Sequence, residues 1–335
     1  MILNADEKLA LKTGLNNKPK VFVTRKLPEV VREELIHYVD AEIWNFETPP
    51  PYEVILEKVR GKDGLLCLLT DRIDAKVINA GSQLKVISQI AVGFDNIDIS
   101  EATARGIRVG NTPGVLTDAT ADLAFALLLA AARRIGESLD YVRQGKWKTW
   151  GLTLLLGQEV YGKTLGLIGL GRIGQAVAKR ARGFDMKILY TDRNRIRVAE
   201  DELGVEYRSL KELLQESDFV SLHVSLNDDT RGLMGPQEFA LMKPSAVLIN
   251  TARGPIVDQQ ALYDALKDGR IAYAALDVTD PEPLPPDDKL LSLTNIIILP
   301  HIASATGATR TKMCMMAIEN LVAGLKGEKL PYPVN

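Results

Sequence analysis

The sequence predicts an α/β fold with two doubly wound parallel sheets, and three observations lead to this prediction. Short apolar runs alternate with helix-forming stretches from Lys20 onwards, and a second alternation of the same kind begins after Tyr161. Between them, residues 117–144 are rich in Ala and Leu, which is typical of one or two long helices. Alternating strands and helices favour parallel sheets covered on both faces, and 335 residues are enough for two domains.

The first alternation predicts a sheet of five strands. These strands are expected at 21–24, 42–44, 64–69, 85–90 and 108–109, with helices near 28–38, 52–60, 75–80 and 100–105. The three prolines at 49–51 predict a loop, because proline lacks the amide donor that a helix or an inner strand needs.

The second alternation predicts a complete Rossmann sheet of six or seven strands. Its strands are expected at 164–168, 187–191, 218–224, 246–250, 271–277 and 295–299, with a weaker one near 205–207. A long helix at 306–326 follows the last strand, and we expect it to pack back on the first domain.

These patterns predict a discontinuous first domain, a second domain inserted into it, and a ligand cleft between the two. Open parallel sheets bind ligands beyond the carboxyl ends of their strands, and domain interfaces are common ligand sites. Residues 1–18 are expected to form an N-terminal extension without an assigned function. The predicted ranges are 19–115 with 305–335 for the first domain and 116–304 for the second.

A strand–turn–helix–strand unit with a glycine fingerprint opens the second sheet. Its turn is Gly169-Leu170-Gly171-Arg172-Ile173-Gly174, and the next strand ends at Asp192, 23 positions after Gly169. The first glycine permits a tight turn, the second lets a pyrophosphate approach, and the third lets helix and strand pack closely. A helix N-terminus at this point binds phosphate. The unit therefore predicts a dinucleotide cofactor.

Asp192 favours NAD(H) as that cofactor. Its carboxylate can accept hydrogen bonds from the adenosine ribose and would repel a 2′-phosphate. Arg193 and Arg195 follow at once and could partly accommodate such a phosphate. We therefore expect NAD(H) to be preferred and NADP(H) to be possible.

Composition and charge argue against several other classes of protein. A net charge of −2 and a pI near 6.0 give no basic footprint for nucleic acid. The apolar run at 123–132 is far shorter than the ~20 residues that a membrane span needs. Cys67 and Cys314 form no metal-ligand pattern, so we expect reduced, buried thiols, no metal and a cytoplasmic protein.

The chain has only three histidines, which narrows the choice of an acid–base catalyst. His37 ends a predicted surface helix. His223 follows a strand in SLHVSL, and we interpret it as a structural residue beside the adenine pocket. His301 follows Pro300 at the carboxyl end of a predicted strand, where the ligand crevice should lie. His301 is therefore the candidate proton donor.

Two charged residues follow neighbouring predicted strands at the same edge. Arg253 comes after the strand at 246–250 and offers a planar guanidinium to a carboxylate. Glu282 comes after the strand at 271–277. Taken singly, Arg253 could form a surface ion pair and Glu282 could be a loop carboxylate. Their convergence with His301 favours a catalytic site.

The chain resembles the D-isomer-specific 2-hydroxyacid dehydrogenases over residues 20–335, and most closely their glyoxylate/hydroxypyruvate reductases. The family segments are VGFDNID (92–98), LTDATADLA (116–124), GLGRIG (169–174), NTARG (250–254), LDVTDPEP (276–283) and PHIAS (300–304). The segments of the narrower group are GLLCLLTDRID (64–74), GKWKTW (145–150), VTDPEPLP (278–285) and ILPHIASAT (298–306).

The resemblance implies a flavodoxin-like substrate-binding domain beside the Rossmann domain, and it implies roles for particular residues. The implied catalytic residues are Arg253, Glu282 and His301. The implied substrate-binding residues are Leu69, Val92 and Gly93, besides Arg253 and His301. The implied cofactor contacts of the second domain are the glycine turn, Asp192, Arg193, Thr251, Ala252 and Asp277. Among these, Asp277 is expected to hold the nicotinamide carboxamide.

The expected reaction is reduction of glyoxylate or hydroxypyruvate to glycolate or D-glycerate by NAD(P)H. His301 would give the proton, Glu282 would favour its charged form, and Arg253 would bind the substrate carboxylate. The choice between the two substrates stays open, because small pocket differences are worth only about 1–3 kcal/mol. The alternatives are another D-2-hydroxyacid dehydrogenase, such as D-3-phosphoglycerate dehydrogenase, and a corepressor-like scaffold that senses NAD.

Residues 119–156 are the predicted contact of a homodimer. In the family that the chain resembles, the helices from about Ala119 to Lys148 form this interface. Trp147 and Trp150 lie in a leucine-containing segment that would otherwise be an apolar surface patch. Trp150 could reach the neighbouring subunit's site. The alternative is that this segment packs within its own chain.

Overall fold

The computed structural model describes residues 18–335, so all but the last residue of the expected N-terminal extension lies outside the described residues. The chain divides into two compact units. The first unit contains the described residues up to Leu116 together with Thr306–Asn335, and the second contains Thr117–Ala305. Each is built on one parallel sheet with helices, which confirms the predicted fold class.

The first unit has a five-stranded sheet in the order β2-β1-β3-β4-β5, the flavodoxin-like order. Its strands are β1 Lys20–Val23, β2 Asp40–Ile43, β3 Gly64–Cys67, β4 Val86–Gln89 and β5 Arg108–Gly110. Its first four described helices are α1 Glu29–Tyr38, α2 Tyr52–Lys58, α3 Ala75–Ala80 and α4 Ile99–Ala104. All the strand pairs are parallel.

The C-terminal part of the chain completes this first unit. A long helix (α12 in the labels used below), Gly307–Leu325, buries Cys314, Ala317 and Leu321 in the core of the unit. Gly324 lies so close to β4 that an added Cβ would be 2.5 Å from the Cβ of Val86. The helix can therefore approach the sheet this closely only because Gly324 has no side chain.

The last residues cover the edge of the same sheet at β5. Gly110 forms an antiparallel bridge with Pro333, and Val334 N donates to Val109 O at 2.8 Å. Val109 N in turn donates to Asn335 Oδ1 at 2.8 Å. Exposed edges of sheets invite pairing with other chains, and here the chain's own tail occupies this one.

The second unit has a seven-stranded parallel sheet in the order β12-β11-β10-β9-β6-β7-β8. Its strands are β6 Thr164–Ile168, β7 Lys187–Thr191, β8 Glu206–Tyr207, β9 Phe219–Leu222, β10 Val247–Asn250, β11 Tyr273–Leu276 and β12 Ile296–Ile298. Its helices are α5 Thr117–Ala132, α6 Ile135–Arg143, α7 Arg172–Arg182, α8 Arg197–Leu203, α9 Leu210–Glu216, α10 Pro236–Leu241 and α11 Gln259–Lys267.

Burial of both faces of this sheet explains the apolar runs in the sequence. Leu165 and Leu167 of β6 lie in a cluster with α5 and α7, whereas Val220 and Leu248 lie in the cluster on the other face. Strand order reverses between β6 and β9, which is where open sheets of this class bind ligands. In the part of the chain from residue 18 to 335, no helix is both long and apolar enough to cross a membrane.

Candidate active site

The glycine turn has the geometry that a dinucleotide fingerprint requires. Gly169 has a φ of +96°, and a Cβ there would lie 2.8 Å from the backbone of His223. A Cβ on Gly174 would press on the carbonyl of Gly169. A Cβ on Gly171, by contrast, would have no atom within 4 Å. The outer two glycines are thus needed for internal packing, and Gly171, at the N-terminus of α7, adjoins open space.

Asp192 supports the turn from the end of β7. Its Oδ2 accepts from Leu170 N at 2.8 Å, and its Oδ1 accepts from Arg193 N at 2.7 Å. A carboxylate oxygen can accept more than one hydrogen bond, so acceptor capacity remains for ribose hydroxyls. The residues that could hold the adenosine part of a dinucleotide are therefore assembled in one place.

The two arginines after Asp192 differ in their surroundings. Arg195 forms two hydrogen bonds with Glu200, at 2.7 and 2.8 Å, and this pairing with Arg195 and Tyr190 lowers the pKa of Glu200 to about 2. Arg193 pairs with Asp229 at 3.2 Å on the open surface, where an ion pair is weak. Arg193 can exchange its partner for a phosphate more easily than Arg195 can.

His301 and Glu282 are in direct contact. The Nδ1 atom of His301 lies 2.5 Å from Oε1 of Glu282, and the two side chains are 21% and 31% exposed. A carboxylate at Nδ1 fixes the orientation of the ring and leaves the other nitrogen, Nε2, for contact with a substrate. The pair therefore has the geometry of a general acid oriented by a carboxylate.

Asp277, at the end of β11, builds the turn that carries His301. Its carboxylate is fully buried and accepts from Ile302 N at 2.8 Å and from Ala303 N at 2.7 Å. Its backbone oxygen accepts from His301 N at 3.0 Å. Burial raises the pKa of Asp277, and the two amide hydrogen bonds oppose that rise. Sequence reasoning missed this supporting contact, because the partners are more than twenty positions apart.

Arg253 lies in the loop after β10, which packs on the loop after β11. Asn250 is buried; its side chain accepts from Ala252 N at 3.0 Å and donates to Arg253 O at 2.9 Å. Gly254 packs so tightly on the carbonyl of Thr279 that a side chain would not fit. Since β10, β11 and β12 are neighbours in the sheet, Arg253, Glu282 and His301 follow three adjacent strand ends.

Thr251 provides a further test of whether a cofactor fits this edge. Its hydroxyl is buried and has no hydrogen-bond partner among residues 18–335, and Thr251 is only 8% exposed. Buried polar atoms are nearly always satisfied, so this hydroxyl is available to a water molecule or to a polar group of a ligand. Thr251 and the open space beside Gly171 both suit a dinucleotide.

His223 packs inside the second unit, next to the glycine turn. Its Nε2 lies 2.9 Å from Ser221 Oγ, and the turn at Gly169 packs on its backbone. Desolvation lowers the pKa of His223 to about 4, so its imidazole is neutral at physiological pH. A neutral imidazole is a poor proton donor, so His223 is unsuited to that role.

The predicted substrate-binding residues Leu69, Val92 and Gly93 lie in the first unit, after β3 and β4. Among residues 18–335, no group accepts a hydrogen bond from the N–H of Val92 or Gly93. Two adjacent backbone donors of this kind suit a carboxylate. Sequence reasoning missed the residues that hold this loop, Gln89 and Asn111; the only available signal was a polar residue at the end of each strand.

A cavity of about 420 Å³ also opens in the first unit, lined by Thr70, Asp71, Arg72, Asp74, Asp95, Asn96, Ile97 and Asp98. Four carboxylates surround one guanidinium there, and Arg72 already pairs with Asp74 at 2.9 Å. The cavity is therefore unfavourable for an anionic substrate. No group of three or more possible metal ligands occurs within residues 18–335.

The chain is similar in sequence and in fold to several known proteins. The family model "D-isomer specific 2-hydroxyacid dehydrogenase, NAD binding domain" matches residues 125–303. A glyoxylate reductase of Korarchaeum cryptofilum is 54% identical over 319 residues, which cover 95% of this chain and 96% of that protein. The TT0316 protein of Thermus thermophilus is 47% identical with a TM-score of 0.89, covering 94% of this chain and 100% of that chain.

A third similar protein was solved with bound ligands. It is the NADPH-dependent glyoxylate/hydroxypyruvate reductase of Sinorhizobium meliloti in complex with NADP and malonate. It is 33% identical with a TM-score of 0.85, and the match covers 95% of this chain and 97% of that chain.

We predict that His223 makes the stability of the second unit depend on pH. Its pKa falls from 6.5 to about 4 on folding, so the unfolded chain gains a proton first as the pH drops. Above pH 6.5 the titration of His223 takes nothing from the free energy of unfolding. As the pH falls from 6.5 towards 4, protonation of the unfolded chain lowers that free energy progressively. Between pH 7 and pH 5 the loss is about 2 kcal/mol in the free energy of unfolding. Urea unfolding at the two pH values measures it.

His223→Gln should remove most of that difference between pH 7 and pH 5, whatever it does to stability at pH 7. His37→Gln is the matched control, because His37 is exposed on α1. An unchanged pH dependence in His223→Gln would contradict the prediction.

Proposed function

We propose a function from one premise: the chain belongs to the D-isomer-specific 2-hydroxyacid dehydrogenases, as the family match and the identity to its relatives show. We propose that it reduces small 2-keto acids, glyoxylate to glycolate and hydroxypyruvate to D-glycerate, with NAD(P)H. Relatives about half identical to it are named glyoxylate reductases, and a solved structure of similar fold is named a glyoxylate/hydroxypyruvate reductase. The single observation that carries the proposal is the contact between His301 and Glu282.

The chemistry needs a hydride at the carbonyl carbon and a proton at the carbonyl oxygen. A bound dihydronicotinamide supplies the hydride. His301 donates the proton from Nε2, while Glu282 at Nδ1 stabilises the imidazolium. Arg253 binds the carboxylate of the keto acid and polarises its carbonyl. The N–H groups of Val92 and Gly93, with Leu69 nearby, are the further carboxylate contacts in this proposal.

Cofactor contacts are proposed for the glycine turn, for Asp192 and for the loop after β10. The N-terminus of α7 and Gly171 would receive the pyrophosphate, and Asp192 the ribose. Thr251 and Ala252 would contact the cofactor from the loop after β10, and the orphaned hydroxyl of Thr251 supports this. Asp277 would hold the nicotinamide carboxamide, besides the backbone contacts described above.

The two cysteines support the cytoplasmic location expected from the sequence. Cys67 and Cys314 are unpaired and buried. Reduced thiols of this kind are typical of proteins in a reducing compartment.

We propose that NADH is the preferred coenzyme and that NADPH is accepted less well. The carboxylate of Asp192 would repel a 2′-phosphate, and Arg193 would offset part of that repulsion.

We predict that wild-type kcat/KM is higher with NADH than with NADPH. Asp192→Asn should reduce the ratio of the two kcat/KM values by about tenfold or more, since ~1.4 kcal/mol of repulsion corresponds to tenfold. An asparagine oxygen can still accept from Leu170 N, so the turn is kept.

Arg195→Ala is the control for this experiment, because Arg195 is occupied by Glu200 and should not affect the coenzyme ratio. A wild-type enzyme with a higher kcat/KM for NADPH would overturn the argument from Asp192.

We predict that His301→Ala lowers kcat for glyoxylate by about 10²–10⁴-fold, because a general acid contributes that much. Steady-state absorbance assays measure kcat, and NADH fluorescence checks that the Kd of the cofactor is unchanged. His37→Ala is the matched control on α1 and should retain full activity. If a folded His301→Ala protein loses less than threefold in kcat, His301 is not the general acid.

We propose that the chain forms a homodimer through residues 119–156. No residue of α6 is buried, and its exposed Ile135, Leu139 and Val142 share one helical face by their spacing. Trp147 and Trp150 follow and are 61% and 77% exposed. An apolar patch of this kind is typical of a protein–protein contact.

Light scattering of the wild type at micromolar concentration should therefore give twice the mass of the chain. Leu139→Asp should shift the mass towards the monomer, because an aspartate would have to be desolvated in the interface. Val198→Asp, at an exposed apolar position of α8, is the matched control and should leave the mass unchanged. A monomeric wild type would exclude the dimer.

A further inference from the structure

We propose that Asn111 is a positioning residue for substrate binding: its side-chain amide fixes the carbonyl of Val92, and thereby aims the N–H of Gly93 at the substrate carboxylate. This inference rests on the proposed function, in which the backbone N–H groups after β4 bind that carboxylate. Asn111 itself does not touch the substrate in this proposal.

The carbonyls of three consecutive residues after β4 each accept a hydrogen bond. Ala91 O accepts from Thr112 N at 2.9 Å, and Val92 O accepts from Asn111 Nδ2 at 2.7 Å. Gly93 O accepts from Gln89 Nε2 at 2.5 Å. The three donors come from two different strand ends, those of β4 and β5.

Fixing a carbonyl also fixes the amide that follows it. In a planar trans peptide the C=O of one residue and the N–H of the next point in opposite directions. The hydrogen bond to Ala91 O therefore directs the N–H of Val92, and the hydrogen bond to Val92 O directs the N–H of Gly93. Within residues 18–335 neither N–H has an acceptor, so both are directed away from the groups that hold the loop.

Asn111 is itself held rigidly. Its backbone N donates to Tyr332 O at 3.2 Å, and its backbone O accepts from Asn320 Nδ2 at 2.9 Å. Asn320 is fully buried in α12, and its Oδ1 accepts from Tyr332 N at 2.9 Å. The C-terminal helix and tail thus fix the backbone of Asn111, and a fixed backbone limits where its amide can point.

The adjoining glycine makes this arrangement possible. A Cβ on Gly110 would lie 2.6 Å from Cγ of Asn320. Only glycine lets the end of β5 approach α12 closely enough for Asn320 to reach the Asn111 carbonyl. The contacts around Asn111 are therefore specific to this sequence and are not a general property of a strand end.

The chemistry of the side chain distinguishes positioning from simple packing. An asparagine amide donates to Val92 O, whereas an ionised aspartate of the same shape has no donor. Aspartate would release the Val92 carbonyl and add a negative charge behind the site that receives the substrate carboxylate. The resulting defect should fall on binding of the keto acid, and much less on the chemical step or on the cofactor.

The decisive experiment compares Asn111→Asp with Asn79→Asp in the full-length protein. Asn79 is an exposed residue of α3 whose Nδ2 donates to Ala75 O, so its substitution adds the same charge to the same unit. We expect Asn111→Asp to raise the KM for glyoxylate and the Ki of oxalate, a small dicarboxylate probe, by about tenfold or more. We expect kcat to change by less than about threefold and the Kd of NADH to stay constant.

Asn79→Asp should leave all four constants unchanged. Asn111→Ser, which is neutral and too short to reach Val92 O, covers the case in which Asn111→Asp does not fold, and should raise the same two constants.

Two results would overturn the inference. One is a folded Asn111 variant with unchanged KM for glyoxylate and unchanged Ki of oxalate. The other is a parallel change in kcat, in the Kd of NADH and in thermal stability, which a purely structural role would produce. If the wild type reduces glyoxylate and the Asn111 variants have the same KM for glyoxylate and the same Ki of oxalate, only this inference fails. If the wild type neither reduces 2-keto acids nor binds oxalate with NADH, the proposed function fails and this inference fails with it.

Discussion

The buried carboxylate of Asp277 is the contact on which the candidate active site depends. A charged group without solvent is costly unless hydrogen bonds replace the water that it loses. Here the amides of Ile302 and Ala303 supply those bonds, and the Asp277 carbonyl accepts from His301 N. Because the cost of burial is offset only in this conformation, the turn after β12 is held in one arrangement. His301 lies in that turn with a φ of +54°, a backbone conformation that residues other than glycine rarely adopt without such support.

The order of the strands explains why the chemically important residues meet. Parallel strands all end at one edge, so the loops after β10, β11 and β12 adjoin one another although they are separated in sequence. The tight packing of Gly254 on Thr279 locks two of these loops together. On the other side of β10 lies β9, followed by His223, and then β6 with the glycine turn. One edge of one sheet therefore carries both the cofactor fingerprint and the acid–base pair.

Local sequence predicted the sheets and the strand-end residues, but it did not predict the contacts that orient those residues. Runs such as VLIN at β10 are buried on both faces and so appear as continuous apolar segments. The start of β2 was predicted less well: the strand begins at Asp40, two positions before the expected start, because its residues are only partly buried and give a weak apolar signal. Asp277 bonds to residues 302 and 303, and Asn320 reaches Asn111 from more than two hundred positions away. No periodicity or spacing in a single sequence encodes such partners, because they depend on how complete elements pack.

Both units use the same physical means to fix backbone groups at the predicted ligand sites. In the second unit Asp192 holds the glycine turn through Leu170 N, and Asp277 holds the turn of His301. In the first unit Asn111 holds the carbonyl of Val92, and Gln89 holds that of Gly93. In each case a polar side chain fixes backbone groups at a predicted ligand site. Groups that are oriented before binding lose little entropy when a ligand arrives, so supporting side chains of this kind contribute to affinity by lowering the cost of binding.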